Sequence, residues 1–397
     1  MTYTTIRLKE HECTALPADA LPQEVGECLW SQYGDKVQVE PPSFKTGSQW
    51  QLTPRGWVGH LPVREQYRLL IAPKVTLSNI FRMLEYAYRL DFLASGDLIG
   101  AQSLQDLFER LAKILSRRVL DRSRKGLYRE YVARSGRLPF VRGKVVVESM
   151  VGSSCEPMLD CRYHENTADI EENQILAWTL YCIACSGFCR EDAGRLVRRA
   201  FRATQGIAQL KVCPPQLCGG RHYNRLNEDY QPLHALCRFF LDHGGPSHEK
   251  GSHAMLPFLI DMARLYEVFV AEWLRQHLPE WILLQDQAVL RLGDEHHVEF
   301  RIDLLLIDRR TGSCLGLLDT KYKTPASPSA GDLEQVIAYA KAVGAREALL
   351  VYPQELPKPV EVTVGGDIHV WTTTFALSGD LDQEGNQFLA RLLNRLK

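Results

Sequence analysis

Short apolar runs, each closed by Pro or Gly, fill the first fifth of the chain: YTTIRL (3–8), KVQVEP (36–41), GWVGHLPV (56–63) and YRLLIAPKV (67–75). The punctuation comes too often for helices, which predicts a small N-terminal β domain over residues 1–78. From Ser78 the period changes: SNIFRMLEYAYRLDFL (78–93) carries apolar residues at helical spacing behind a Ser cap. SLQDLFERLAKILSRRVLDRSRKGLYREYVA (103–133) continues the helical pattern, LPFVRGKVVVES (138–149) interrupts it as a β insert, and helices resume at 172–188 and 191–207. Residues 79–245 thus read as a mostly helical region with a β insert.

DHGGPSHEKGSH (242–253) has no periodicity and marks a linker. Beyond it, residues 254–397 alternate: a helix at about 255–277, a strand at 282–291, a strand pair within 298–323, a helix at 331–343, then strands in EALLVYP and DIHVWT. That order predicts an α/β domain, and the whole chain reads as an α+β multidomain protein.

The strand pair VEFRIDLLLIDRRTGSCLGLLDTKYK (298–323) carries charge where a structural strand would be apolar: Asp303 follows Ile302, and Asp319 and Lys321 follow Leu317–Leu318. An unpartnered buried carboxylate costs several kcal/mol, so these positions point to a site. If Arg310–Gly312 form a three-residue turn centred on Thr311, Asp303 and Asp319 stand opposite one another, each eight residues away. The pleat puts Lys321 on the face of Asp319. Paired carboxylates beside an ammonium suit a hard divalent cation, which polarises a phosphodiester and acidifies a water molecule, with the lysine offsetting charge on phosphorus. An Asp–Lys ion pair at a strand edge is the alternative reading. In the preceding helix Glu267 shares an arc with Leu256, Ile260 and Leu274, either aimed at the site or bonded to Arg264; in the following helix Gln335 and Tyr339, four apart, share a face.

Composition alters little. At 45% hydrophobic, 24% charged and net charge −1, the 397 residues give no global sign of a polyanion partner. No basic start with an apolar core opens the chain. The longest charge-free apolar run (175–189) has 15 residues, short of the ~20 that span a bilayer; a cytoplasmic protein with no membrane partner is expected. Eleven cysteines include Cys182, Cys185 and Cys189 on one stripe of that apolar helix, read as small buried hydrophobes. Cys213 and Cys218 lack the spacing that would complete a zinc site.

Asp303, Asp319-Thr320-Lys321 and Glu267 resemble the PD-(D/E)xK nuclease superfamily, with the leading proline-acid element reduced to Arg301–Asp303. More specifically the chain resembles the McrC family, the nuclease subunits of 5-methylcytosine restriction systems. The likeness lies in GWVGHLPVREQYRLLIAPKV (56–75), GLYREYVARSGRLPFVRGKV (126–145), CRYHENTADIEENQILAWTL (161–180), PFLIDMARLYEVFV and DLEQVIAYA. Arg64–Tyr67 departs from it, being bulkier and more charged than the glycine-containing turn expected there. The resemblance implies Mg²⁺, with Mn²⁺ as an alternative, at Asp303, Asp319 and Thr320, and catalytic roles for Asp303, Asp319, Lys321, Glu267 and Gln335. It also implies a dimer of nuclease subunits cutting double-stranded DNA with a McrB-like AAA+ NTPase hexamer that uses GTP. No GxxxxGK[ST] occurs in the chain, so a motor must come from that partner.

Between Arg117 and Lys144 stand ten Lys and Arg against two acids, a net of +8. Arg117, Arg118, Arg122, Arg124, Lys125 and Arg129 are expected on the helix, and Arg134, Arg137, Arg142 and Lys144 around the β insert. DNA backbone contact, docking in the partner's pore and a solvated helix face all fit this run. The expected function is a metal-dependent endonuclease subunit of a modification-dependent restriction system; a catalytically inactive NTPase regulator and a stand-alone DNA repair nuclease are the rivals.

Overall fold

The computed structural model describes residues 4–64, 66–90, 103–146, 158–244, 257–292 and 298–396. The chain divides into two compact units, residues 1–107 with 257–397, and residues 108–256. The linker expected at 242–253 lies outside the described residues from 245 on.

The first unit begins with β1 (Thr4–Lys9), β2 (Thr14–Pro17), α1 (Gln23–Tyr33), β3 (Val37–Glu40), β4 (Gln49–Pro54), β5 (Trp57–Val63), β6 (Tyr67–Ala72) and α2 (Leu77–Tyr88). Helix α1 corrects the all-β expectation for this segment. Leu21, Val25 and Leu29 already stand at helical spacing and are all buried. Pro22 and Gly26 disguised them as turn residues, yet Pro22 is the N-cap and Gly26 leaves room for the Trp50 indole. The cap of α2 is Thr76, whose hydroxyl accepts from Asn79 N–H, two residues before the expected Ser78. Arg64 takes φ +54° in the turn where a glycine was expected.

The second unit holds most of α3 (Leu104–Lys125), then β7 (Glu130–Leu138), β8 (Lys144–Val145), β9 (Leu159–Thr167), α4 (Glu171–Cys185), α5 (Glu191–Thr204) and α6 (Tyr230–His243). Its core gathers Phe108, Leu111, Leu115, Ile175, Leu180, Leu236 and Phe240. The expected helix over 103–133 stops at Lys125, and residues from Glu130 on pair with β9 in an antiparallel ribbon. No β7 side chain is buried, so no buried alternation marks it in the sequence. Helix α4 ends at Cys185, so Cys189 lies beyond it and Cys185 is exposed; only Cys182 of that stripe is buried. Burial pushes the Cys182 and Cys218 thiols up to about 12, away from the thiolate a metal would need. No helix among the described residues is long and apolar enough to cross a membrane.

The first unit resumes with β10 (Phe258–Asp261), α7 (Met262–His277), β11 (Ile282–Leu292), β12 (Val298–Asp308), β13 (Cys314–Thr320), α8 (Ala330–Val343), β14 (Glu347–Tyr352), β15 (Glu361–Val364), β16 (Ile368–Thr374) and α9 (Leu381–Arg395). The expected helix start at 255 lies outside the described residues, and Phe258–Asp261, expected as helix, form β10, which pairs antiparallel with β5 and completes the sheet β1-β6-β5-β10. Asp261 then caps α7, accepting from Ala263 and Arg264 N–H. The larger sheet runs β11-β12-β13-β14-β16-β15; β11–β13 are antiparallel, and β13, β14 and β16 are parallel. Val336, Tyr339 and Ala340 of α8 pack on this sheet against Ile302, Leu317 and Leu350.

Gly59 sits where β5 meets β10: its φ is +131° and a Cβ there would lie 2.2 Å from the Phe258 carbonyl oxygen. Gly59→Ala is expected to lose roughly 3 kcal/mol or more, read as a lower melting temperature or loss of folded protein. Gly331→Ala, on α8 with no atom within 4 Å of the added methyl, is the control that leaves melting unchanged or higher.

Candidate active site

The candidate residues meet at one end of the β12–β13 hairpin. Its connection is Arg309–Gly312, closed by Asp308 N–H donating to Ser313 O at 2.9 Å, with Gly312 at φ +73°. That is four residues rather than the three expected. Ile307 pairs with Cys314 but Leu306 with Gly316, leaving Leu315 as a bulge. The longer loop and the bulge each shift the register by one residue, in opposite directions. Leu304 therefore faces Leu318, as a three-residue turn would have it. One step further along the ladder, Asp303 comes level with Asp319. Thr320 N–H and Oγ1 donate to Asp303 Oδ2 at 2.9 and 3.0 Å, so the Thr320 hydroxyl serves the neighbouring carboxylate.

Asp319 is 2% exposed. Burial, then the charge of Asp303, raise its carboxyl to about 6 against the pull of Lys321. Lys321 Nζ lies 2.6 Å from Asp319 Oδ2, yet that buried oxygen has no well-aligned donor. Burial works to lower the Lys321 pKa, but the Asp319 carboxylate raises it above the ordinary value and keeps the ammonium charged. Lys321 also donates to Gln335 Oε1 at 3.1 Å, and Gln335 Nε2 donates to the Tyr339 hydroxyl at 2.9 Å. The helix pair singled out in the sequence thus orients the lysine.

Glu267 sits on α7, whose start at Met262 removes Ile260 from its arc, while Leu256 lies outside the described residues. The Arg264 bond is present at 2.7 Å. Burial first, then the charge of Asp303, raise the Glu267 carboxyl, with a smaller push from Asp319. The ion pair and proximity to the two aspartates therefore coexist.

Other residues around the site carry no pattern in the sequence. Gln287 of β11 donates its side-chain amide to Glu267. Tyr322, next to Lys321, donates to the buried Glu10 at 3.3 Å. Tyr352, fully buried, stands level with Lys321 when the parallel β13–β14 ladder is extended one step beyond Thr320 and Val351. Its hydroxyl has no hydrogen-bond partner among the described residues, and burial together with Asp332 and Asp319 pushes its pKa up. Lys323 binds Asp332 at 2.6 Å, and Asp332 closes a capping box with Ser329 at the start of α8.

The carboxylates fit a hard cation: Asp303 and Asp319 are oxygen donors at close quarters, and Asp319 Oδ2 is sealed from solvent without an aligned donor. No group of three or more His, Cys, Asp and Glu side chains among the described residues has metal-holding geometry. The fit is therefore to an ion that takes one or two carboxylates and fills its remaining positions with water and phosphate, as Mg²⁺ does.

In the second unit much of the basic run is paired internally. Arg122 meets Asp229 at 3.4 Å, Arg124 meets Asp121 at 2.8 Å, and Arg134 and Arg142 share Glu165. Arg129, past the end of α3, bonds Asn166. The ribbon exposes Tyr131 by 69%, Phe140 by 57% and Val141 by 64%.

Comparison with known proteins gives three findings. A family model described as McrBC 5-methylcytosine restriction system component matches residues 52–353. The type IV methyl-directed restriction enzyme EcoKMcrBC of Escherichia coli (strain K12) is 23% identical over 226 residues, 52% of this chain and 60% of that protein, so the matched part spans less than two thirds of its length. Among solved structures, a chain of the refined half-complex from a tetradecameric assembly of Thermococcus gammatolerans McrB AAA+ hexamers with bound McrC aligns with TM-score 0.56 at 19% identity, covering 98% of this chain and 100% of that one. That likeness is one of fold.

The raised Asp319 carboxyl gives a stability test. Folding raises its pKa, so the ionised form is disfavoured in the native state, and that penalty grows as pH rises from about 4 through about 6. Relative to wild type, Asp319→Asn is expected to gain about 1–3 kcal/mol between pH 4 and pH 7. Chemical denaturation in EDTA across that range measures it; a pH-independent difference would show that the carboxyl is not perturbed.

Proposed function

The chain belongs to the McrBC 5-methylcytosine restriction system component family, and from that premise we propose that it is the metal-dependent, DNA-cutting subunit of such a system. The observation that carries this reading is the buried Asp319, set level with Asp303 by the hairpin register and held by Lys321. Helix α7 before the antiparallel strands and α8 between β13 and β14 agree with a PD-(D/E)xK nuclease domain. Two nearby carboxylates with a charged lysine are a poor structural core and a suitable apparatus for phosphodiester hydrolysis.

Asp303 and Asp319 would hold Mg²⁺ or Mn²⁺, which when bound supplies the charge that polarises the scissile phosphate and makes water more acidic. Thr320 fixes the Asp303 carboxylate by two hydrogen bonds. Lys321, steadied by Gln335, positions the attacking water and offsets negative charge developing on phosphorus. Glu267, from the neighbouring helix, completes the acidic shell around the aspartates.

The chain contains no phosphate-binding loop of its own, and the fold relative comes from an assembly of McrB AAA+ hexamers with bound McrC. We take an AAA+ NTPase hexamer as the partner, with double-stranded DNA as substrate, modified-base reading by the partner, and a pair of nuclease subunits making the double-strand cut. The ribbon β7–β9 suits partner docking better than DNA: its arginines are largely paired with local acids while Phe140 and Val141 are exposed.

The test is reconstitution with a McrB-like AAA+ partner and a 5-methylcytosine-containing plasmid. Asp303→Asn, Asp319→Asn and Lys321→Ala are each expected to reduce cleavage by about 10²-fold or more while stimulation of NTP hydrolysis persists. Val141→Asp on the ribbon should do the opposite to stimulation, lowering it without changing the melting temperature. Wild-type cutting by Asp319→Asn removes the catalytic assignment.

A further inference from the structure

We propose that Gln287 is a positioning residue of this site, holding the Glu267 carboxylate toward Asp303 by means of a left-handed kink in its own strand; the inference rests on the nuclease reading above. Strand β11 pairs with β12 from Ile282 opposite Asp308 to Leu292 opposite Val298, with one omission. Asp286 faces Leu304 and Ala288 faces Ile302, while Gln287, which this register sets opposite Asp303, drops out of the ladder. Its φ is +50°.

The other described non-glycine residues with positive φ, His11, Ser48, Arg64 and Arg89, lie at turns or a helix end; Gln287 alone among them lies inside a strand. Glutamine does nothing to relieve that conformation; glycine, asparagine or aspartate would. A residue kept in a disfavoured backbone state inside a regular element needs another reason, and such states cluster at functional sites.

The reason lies in the side chain. Gln287 Nε2 donates to Glu267 Oε1. Glu267 is repelled by Asp303 and Asp319, which both raise its pKa, and its other partner, Arg264, is exposed on the same helix. Left to those forces, the carboxylate would swing outward with the guanidinium. The amide opposes this from the strand beside Asp303. Asparagine would keep the backbone but fall one methylene short.

The experiment uses the full chain, reconstituted with its AAA+ partner for cleavage and alone for Mn²⁺ binding by electron paramagnetic resonance. Gln287→Asn is expected to lower the cleavage kcat about tenfold and weaken Mn²⁺ binding by a similar factor, as loss of an outer-shell partner that orients a carboxylate beside the ion does, with KM for DNA and melting temperature unchanged. Gln287→Gly should show the same losses while melting at or above the wild-type temperature. Added to Glu267→Gln, Gln287→Asn should cause no further loss in either measure. Wild-type kcat and Mn²⁺ binding in Gln287→Asn, or losses that multiply with those of Glu267→Gln, overturn the inference while leaving the site intact. Wild-type cutting by Asp303→Asn overturns the site and the inference together.

Discussion

The structure of the first unit turns on a repulsion: two aspartates brought to the same level of adjacent strands, one of them almost wholly buried. Asp319 is held ionisable near pH 6 by its apolar surroundings and by Asp303, and Lys321 is the charge that lets it stay in the sheet. Each neighbouring element can be understood as containing that repulsion. Thr320 ties down Asp303, Gln335 and Tyr339 tie down Lys321, and Arg264 with Gln287 hold Glu267. An apolar set of the same volume would make a more stable sheet, which is why this cluster of charge carries the functional reading proposed above.

The N-terminal strands take part in the same unit. Strand β10 ends the small sheet, and Asp261 at its end caps the helix that carries Glu267. Tyr322, directly after the candidate lysine, reaches Glu10 at the end of β1. Burial raises the Glu10 carboxyl, as it does the Tyr322 hydroxyl, and the short hydrogen-bonded link from β1 to the segment after β13 is closed to solvent at Glu10. Further along, Lys323 and the capping box at Ser329 and Asp332 fix where α8 begins, and hence where Gln335 points.

The second unit shows why local charge is a poor guide by itself. A net of +8 between Arg117 and Lys144 looks like a polyanion surface. In the folded chain Arg122, Arg124, Arg134 and Arg142 meet acids that lie outside that window or one turn away. Glu165 on β9 answers two of them because the ribbon pairs β7 with β9. What the ribbon leaves exposed is apolar as much as basic.

Much of the site was legible in the sequence, because charge inside two apolar strands has few structural uses and the register follows from symmetry about Thr311. That register came out correct through two compensating errors: a loop one residue longer than expected, and a bulge at Leu315 that no pattern announces. Helices α5 and α8 were equally legible, since each buries one face, and α4 was legible as an apolar run buried nearly all round. Elements whose side chains are sorted by partners distant in sequence were not. Helix α1 hid behind Pro22 and a Gly26 that exists for Trp50, β10 was masked by the helix it precedes, and the exposed ribbon had no buried face to reveal it. Gln287, Tyr322 and Tyr352 are ordinary residues in ordinary runs. The sequence alone determined which groups form the candidate site, because their cost of burial is intrinsic to each side chain. Only the tertiary structure decided which neighbours hold them, because that depends on contacts between strands and helices the chain brings together from far apart.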